Sequence, residues 1–170
     1  MNKELLIEGI KKLGMETTEE QIERFSKYSE LLKEWNNKIN LTAITDDDGI
    51  SVKHFLDSIL PLAHIEIKTG ANIADVGTGA GFPGLPIKII RDDINLTLID
   101  SLNKRINFLT LVSNELNLSN TVCVHGRAED LSRKPEYREK FDYVISRAVA
   151  NMTACLLYTS DAADDLIGVD

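Results

Sequence analysis

Cysteine is nearly absent from this 170-residue sequence. Cys123 and Cys155 stand 32 residues apart with no accompanying histidine pattern, which excludes a disulfide framework and a zinc site. No disulfide partner and no metal are expected, as for a protein of a reducing compartment. Long apolar runs are missing too. No stretch approaches the roughly 18 residues that a membrane helix needs. The segment Met1–Glu8 mixes charge into its apolar residues and lacks the core of a signal peptide. A cytoplasmic location without membrane contact is the expectation. Aromatic residues make up only 6% of the chain, so surfaces for stacking bases are few. Basic residues are also in deficit, 19 against 27 acidic, for a net charge of −8. That balance argues against a general nucleic-acid binder. The deficit is uneven, however. Asp161, Asp164, Asp165 and Asp170 lie in a tail without Lys or Arg, and setting those four aside leaves 23 acidic residues against 19 basic. Phosphate contact depends on the local field, so a local basic face stays open.

What is present fits one well-buried core. Leu6, Ile10 and Leu13 recur at helical spacing before Gly14. Thr18-Glu19-Glu20-Gln21 has the form of a capping box, and behind it Ile22, Phe25, Leu32, Trp35 and Ile39 line one stripe of a second helix. Ser51–Leu60 predicts a third helix, ended by Pro61. From residue 72 the rhythm changes. Short apolar runs at Asn72–Val76, Asn95–Ile99, Thr121–Val124 and Phe141–Ile145 predict strands, and Asn103–Leu116 predicts a helix between the second and third. This alternation predicts an α/β fold with a parallel sheet covered by helices. Right-handed crossovers put the carboxyl ends of all strands on one edge, where ligands of such sheets bind. The chain divides into a helical amino-terminal cap, 1–68, an α/β core, 69–154, and an atypical acidic tail, 155–170. The tail does not supply the expected fifth strand, which predicts an incomplete sheet with a bare edge and a foreign or shortened end after about Ala154.

The chemistry concentrates in "IADVGTGAGFPGLPIKI", Ile73 to Ile89. Glycine lets backbone approach a ligand closely. Gly79-Ala80-Gly81-Phe82-Pro83-Gly84 satisfies G-x-G-x-x-G, and Asp100 follows 16 residues later, which taken alone suggests a dinucleotide. A nucleoside triphosphate loop is excluded because no Gly-Lys-Ser/Thr follows. The wider pattern, Asp75-x-Gly77-x-Gly79-x-Gly81, leans elsewhere. An acid at position 75 repels a pyrophosphate and suits an ammonium or sulfonium centre. Asp100 offers lone pairs to two ribose hydroxyls. Glu129, in His125-Gly126-Arg127-Ala128-Glu129-Asp130, suits an adenine edge. A phosphate-free nucleoside joined to an amino acid is S-adenosylmethionine.

These residues resemble those of a class I S-adenosylmethionine-dependent methyltransferase. The longer strings "WNNKINLTAI", "KHFLDSIL", "DVGTGAGFPGLPIKI", "GRAED" and "FDYVISRAVA" together resemble the bacterial ribosomal RNA small subunit methyltransferase G family, also called glucose-inhibited division protein B, over about residues 1–153. The resemblance implies a Rossmann-like class I methyltransferase sheet. It implies methylation of guanine N7 in small-subunit (16S) ribosomal RNA near the decoding region. It implies a cofactor site at Gly77, Phe82, Ala128, Glu129 and Arg147, beside Asp75, Gly79 and Asp100. Guanine N7 carries a lone pair and no proton, so no general base is expected, and no catalytic acid or base is assigned. Two other readings compete: a nicotinamide (NAD) oxidoreductase built on Gly79–Gly84, and an inactive shortened fragment of the methyltransferase.

For the RNA or ribosomal particle, the candidate phosphate contacts are Lys53, Lys88, Arg91, Lys104, Arg105, Arg127 and Arg147. Recognition by shape and phosphates is expected. His54 and Asp57 share one helical face and predict a contact between cap and core. A monomer is expected.

Overall fold

Side-chain caps start the first two helices. Asn2 accepts from the Leu5 amide at 3.1 Å to open α1 (Lys3–Lys12). Both bonds of the predicted capping box form at the start of α2 (Glu19–Ile39): Gln21 N to Thr18 Oγ1 at 3.2 Å, and Thr18 N to Gln21 Oε1 at 3.0 Å. The Gln21 amide group then donates to the carbonyls of Ile89 and Ile90, both at 3.1 Å, and so docks the cap on the core. The α2 stripe buries Ile22, Phe25, Tyr28 and Leu32, while Trp35 packs against Phe108 with ring centroids 5.6 Å apart.

The computed structural model describes residues 1–147 and 157–159. The helix predicted over Ser51–Leu60 winds unevenly: α3 (Asp47–Gly49), a π-helical segment Ile50–Leu56, α4 (Asp57–Ile59) and a 3₁₀ turn Leu60–Ala63. Pro61 does not stop a regular helix. It sits in the first turn of the 3₁₀ segment, where its missing N–H costs no bond.

Four parallel strands follow: β1 (Asn72–Val76), β2 (Asn95–Asp100), β3 (Thr121–His125) and β4 (Tyr143–Ile145), in the order β3-β2-β1-β4. Between them lie α5 (Gly84–Ile90), α6 (Asn103–Glu115) and α7 (Ala128–Leu131). Strand order reverses between β1 and β4, which opens the crevice beyond their carboxyl ends. β1 and β2 are buried along nearly their whole length, as runs of apolar residues covered on both faces should be. The cap has no core of its own: one apolar cluster runs from Leu6 and Ile10 through Phe25 and Phe55 to Ile73, Leu96 and Phe108. No helix among the described residues is long and apolar enough to cross a membrane.

The fourth strand is shorter than predicted, because Phe141 bridges Thr159 and Asp142 pairs with Asn72 through both its amide and its carboxylate, each at 2.8 Å. Among the described residues β4 is the outer strand of the sheet, with the Phe141–Thr159 bridge beside it, while one face is covered. Tyr158 is fully buried against Ala74, Val76, Ile99 and Leu131, and its hydroxyl donates to the Ala128 carbonyl at 2.9 Å. The rest of the predicted acidic tail, and Ala154, lie outside the described residues.

Candidate functional site

The turn after β1 is a closed hydrogen-bonded unit. Asp75 is completely buried, and its Oδ2 accepts from Thr78 Oγ1 at 2.7 Å and from the Gly84 amide at 2.8 Å. The amides of Gly77 and Thr78 donate to Ile99 O, and that of Gly79 to Asp100 Oδ2 at 2.9 Å. Gly81 and Phe82 donate to Thr78 O, and Leu85 to Gly81 O. Gly81 takes φ +100°, and a β-carbon there would stand 2.7 Å from the Tyr28 hydroxyl. Gly84 is needed for a different reason: a β-carbon would lie 2.7 Å from Asp75 Oδ2. Almost every amide of the turn therefore has an internal acceptor, and the Asp75 carboxylate itself fills the start of α5. A pyrophosphate cradle requires free amides at that place.

Burial drives the Asp75 carboxyl up to about 6, against the pull of its bonds from Thr78 and Gly84. Its Oδ1 is buried and has no hydrogen-bond partner. So Asp75 lies beneath the turn, with one oxygen buried and unsatisfied.

Beyond the turn a hollow of about 340 Å³ opens at the carboxyl edge of β1, β2 and β3. Val76, Gly77, Asp100, Arg105, Ala128 and Glu129 form its walls, together with Arg127. Asp100 ends β2 and organises the floor. Its Oδ1 accepts from the Leu102 amide at 2.9 Å, and its Oδ2 accepts from Gly79 and, at 3.3 Å, from Arg105. Glu129 is exposed in the first turn of α7. Four residues expected at one site, Gly77, Asp100, Ala128 and Glu129, are thus brought to one hollow, with Gly79 tied directly to Asp100.

Phe82 and Arg147 face differently from expectation. The Phe82 ring turns to the cap, lying parallel to His54 with centroids 4.4 Å apart and against Tyr28 at 5.4 Å. The Arg147 guanidinium is 5.2 Å from the Phe82 centroid and donates to Asp57 Oδ2 at 3.0 Å, to Lys53 O at 3.1 Å and to His54 Nδ1 at 3.3 Å. The predicted contact of His54 and Asp57 with the core is this one. Because Nδ1 faces a donor, His54 is the neutral tautomer with its proton on Nε2, donated to Thr42 Oγ1 at 2.8 Å. Burial and the arginine hold that imidazole down at about 4.

Two RNA candidates are corrected. Lys88 is fully buried, and its amine donates to the carbonyls of Asp92 and Ile94 at 2.7 and 2.6 Å. Arg91 is forked onto Asp93 at 2.7 Å and donates to Ile67 O, at the far end of α5 from the hollow. Arg105 pairs with Asp100 and lines the hollow, whereas Lys53, Lys104 and Arg127 remain exposed. Sequence reasoning passed over Tyr28 and Thr78. Tyr28 lies three residues after Phe25 on the buried stripe, and a phenol there needs an acceptor; it finds Ala80 O at 2.5 Å.

Residues 21–165 match the family model described as rRNA small subunit methyltransferase G. Curated proteins named "Ribosomal RNA small subunit methyltransferase G" are similar throughout. One from Clostridium perfringens (strain 13 / Type A) is 54% identical over 154 residues, covering 91% of this chain and 64% of that protein. One from Desulforamulus reducens is 54% identical over 147 residues, covering 86% of this chain and 61% of that protein. The chain thus spans under two thirds of the length of these relatives. Among solved structures, a protein-L-isoaspartate O-methyltransferase superposes with a TM-score of 0.54 at 15% identity, covering 85% of this chain and 47% of the other. A putative S-adenosyl-L-methionine-dependent methyltransferase from Methanococcus maripaludis gives 0.53 at 13% identity, covering 76% of this chain and 54% of the other. At that identity they establish the shared Rossmann-like fold.

Proposed function

Because the chain belongs to the ribosomal RNA small subunit methyltransferase G family, matched over residues 21–165, we propose that it binds S-adenosylmethionine in the hollow above Asp100 and serves methylation of guanine N7 in small-subunit ribosomal RNA. The observation that carries the reading is the Asp75 carboxylate at the start of α5. It occupies the place of a phosphate and leaves one buried oxygen without a donor. A cationic ligand group above the turn would be attracted by the carboxylate charge. The hollow, about 340 Å³, is of the size that holds a nucleoside-sized ligand.

Asp100 would take the ribose hydroxyls, replacing the long Arg105 contact. Ala128 and Glu129 would meet the adenine edge, and Gly77 and Gly79 the methionine side. When bound, the sulfonium supplies a methyl group that transfers to a nucleophile attacking in line with the carbon–sulfur bond. Guanine N7 attacks with its own lone pair and releases no proton, so the residues need only orient the two groups. Orientation alone contributes on the order of 7–11 kcal/mol to such reactions.

The cofactor is tested by thermal shift. S-adenosylmethionine is expected to raise the melting temperature, with nicotinamide dinucleotide leaving it unchanged. Stabilisation by the dinucleotide alone would reverse the assignment.

Lys53, Lys104 and Arg127 would contact RNA phosphates around the hollow. Replacing all three by Gln is expected to flatten the dependence of log Kobs on log salt by about 2. Filter binding of small-subunit RNA between 50 and 200 mM salt (about the range where such slopes are read) checks this, and an unchanged slope would move the RNA face elsewhere.

A further inference from the structure

The π-helical segment Ile50–Leu56 has a specific consequence at one carbonyl. The Asp57 amide reaches back to Val52 O and His54 O, passing over Lys53 O, the acceptor that regular α-helical winding would use. Arg147 donates to that carbonyl instead, at 3.1 Å. The same guanidinium binds Asp57 Oδ2 and His54 Nδ1. Three groups of the cap thus converge on one arginine at the carboxyl end of β4. Two residues of that connection, Arg147 and His54, lie against the ring of Phe82. Phe82 belongs to the glycine turn, and Tyr28 also stacks on its ring and donates to the Ala80 carbonyl. π-Helical turns occur frequently at functional sites, where they re-aim a few groups at some cost in helix regularity.

We propose that His54, Asp57 and Arg147 form a latch between the cap and β4, and that His54 and Asp57 are positioning residues for the glycine turn. Neither lines the hollow. They act through Phe82, which the latch holds against the cap so that Gly77 and Gly79 keep their places beside Asp100. The inference rests on the proposed cofactor reading only for its second readout.

The first readout needs no ligand. The amides of Gly81 and Phe82 donate to Thr78 O within the turn, so their hydrogen exchange reports its opening. In the unliganded full chain, His54→Ala and Arg147→Met are each expected to speed exchange across residues 77–84 at least tenfold and to leave β3 unchanged. The double variant should be no faster than the faster single, because the residues act as one unit. Asp57→Ala removes an exposed latch member without disturbing the core, and is expected to give about threefold. The second readout is the dissociation constant for S-adenosylmethionine by calorimetry, expected to rise tenfold for His54→Ala with a native circular dichroism spectrum. Exchange in 77–84 unchanged in Asp57→Ala and in whichever other variants fold would overturn the latch. So would additive effects of His54→Ala and Arg147→Met. Faster exchange in a protein whose wild type binds no S-adenosylmethionine would leave the latch standing and refute the cofactor.

Discussion

Replacing Asp100 by alanine is expected to weaken S-adenosylmethionine binding at least 100-fold, about 3 kcal/mol by calorimetry. On the proposed reading, two charge-assisted bonds to ribose hydroxyls would disappear at once. The same change removes the acceptor for the amides of Gly79 and Leu102 and for the Arg105 guanidinium. A further loss of about 1–3 kcal/mol in folding stability is therefore expected. Asp100→Asn keeps one oxygen but sets an NH2 group against either the Leu102 amide or the Gly79 amide and Arg105, so it should lose part of this stability while affinity falls about tenfold. A dissociation constant for Asp100→Ala within threefold of wild type would remove Asp100 from the cofactor site.

Asp75→Asn should split stability from binding as pH changes. The folded-state carboxyl titrates at about 6, above its ordinary 3.8. Below about 3.8 both folded and unfolded chains hold the proton, and this group's contribution is fully present. Between about 3.8 and 6 the folded chain keeps a proton that the unfolded chain has lost. Stability from this group therefore falls as pH rises through the window, by about 3 kcal/mol in all. The asparagine variant lacks that decline. Wild-type stability minus variant stability, from urea unfolding at pH 4 to 8, is expected to drop by that amount and then level off. His54, held at about 4, runs the opposite way, since its neutral folded form gains stability as pH rises from 4 toward 6.5. It is common to both proteins and cancels in the difference. Cofactor affinity should behave in reverse. The variant would lose the charge proposed to attract the cationic ligand, and wild-type affinity should then fall about tenfold per unit below pH 6, where binding would first have to expel the Asp75 proton. A difference in stability that is flat with pH would mean that this carboxyl titrates as it does in water.

The strand, turn and helix around residues 72–90 were legible because their signals are local: a short apolar run, glycines where φ must be positive, and an apolar helix start. Asp100, Ala128 and Glu129 were legible for a topological reason, since parallel strands deliver their carboxyl ends to one edge. Lys88 was misread because α5 is covered on all sides. Its alkyl stem stays in the core, and the carbonyls that receive its amine come from a loop whose path no helical periodicity reveals. Arg91 did carry a local warning in Asp93, two residues on. The facing of Phe82 was not readable, because the cap decides it and the cap lies distant in sequence. The π winding at Ile50–Leu56 leaves no pattern in residue types at all; only the Arg147 bonds reveal what it accomplishes.

The order β3-β2-β1-β4 also has a consequence for how the chain is made. β1 lies between β2 and β4, and its partner residues in β4 follow it by 70 positions, as in Ile73 opposite Tyr143. At synthesis rates of about 5–20 residues per second, roughly 4 to 14 s separate the emergence of the two. During that interval the strand that ends up central is an edge strand, with a row of open amides and carbonyls flanked by Ile73, Ala74 and Val76. It is then a site for pairing with another nascent chain, and the arrival of Tyr143–Ile145 closes it.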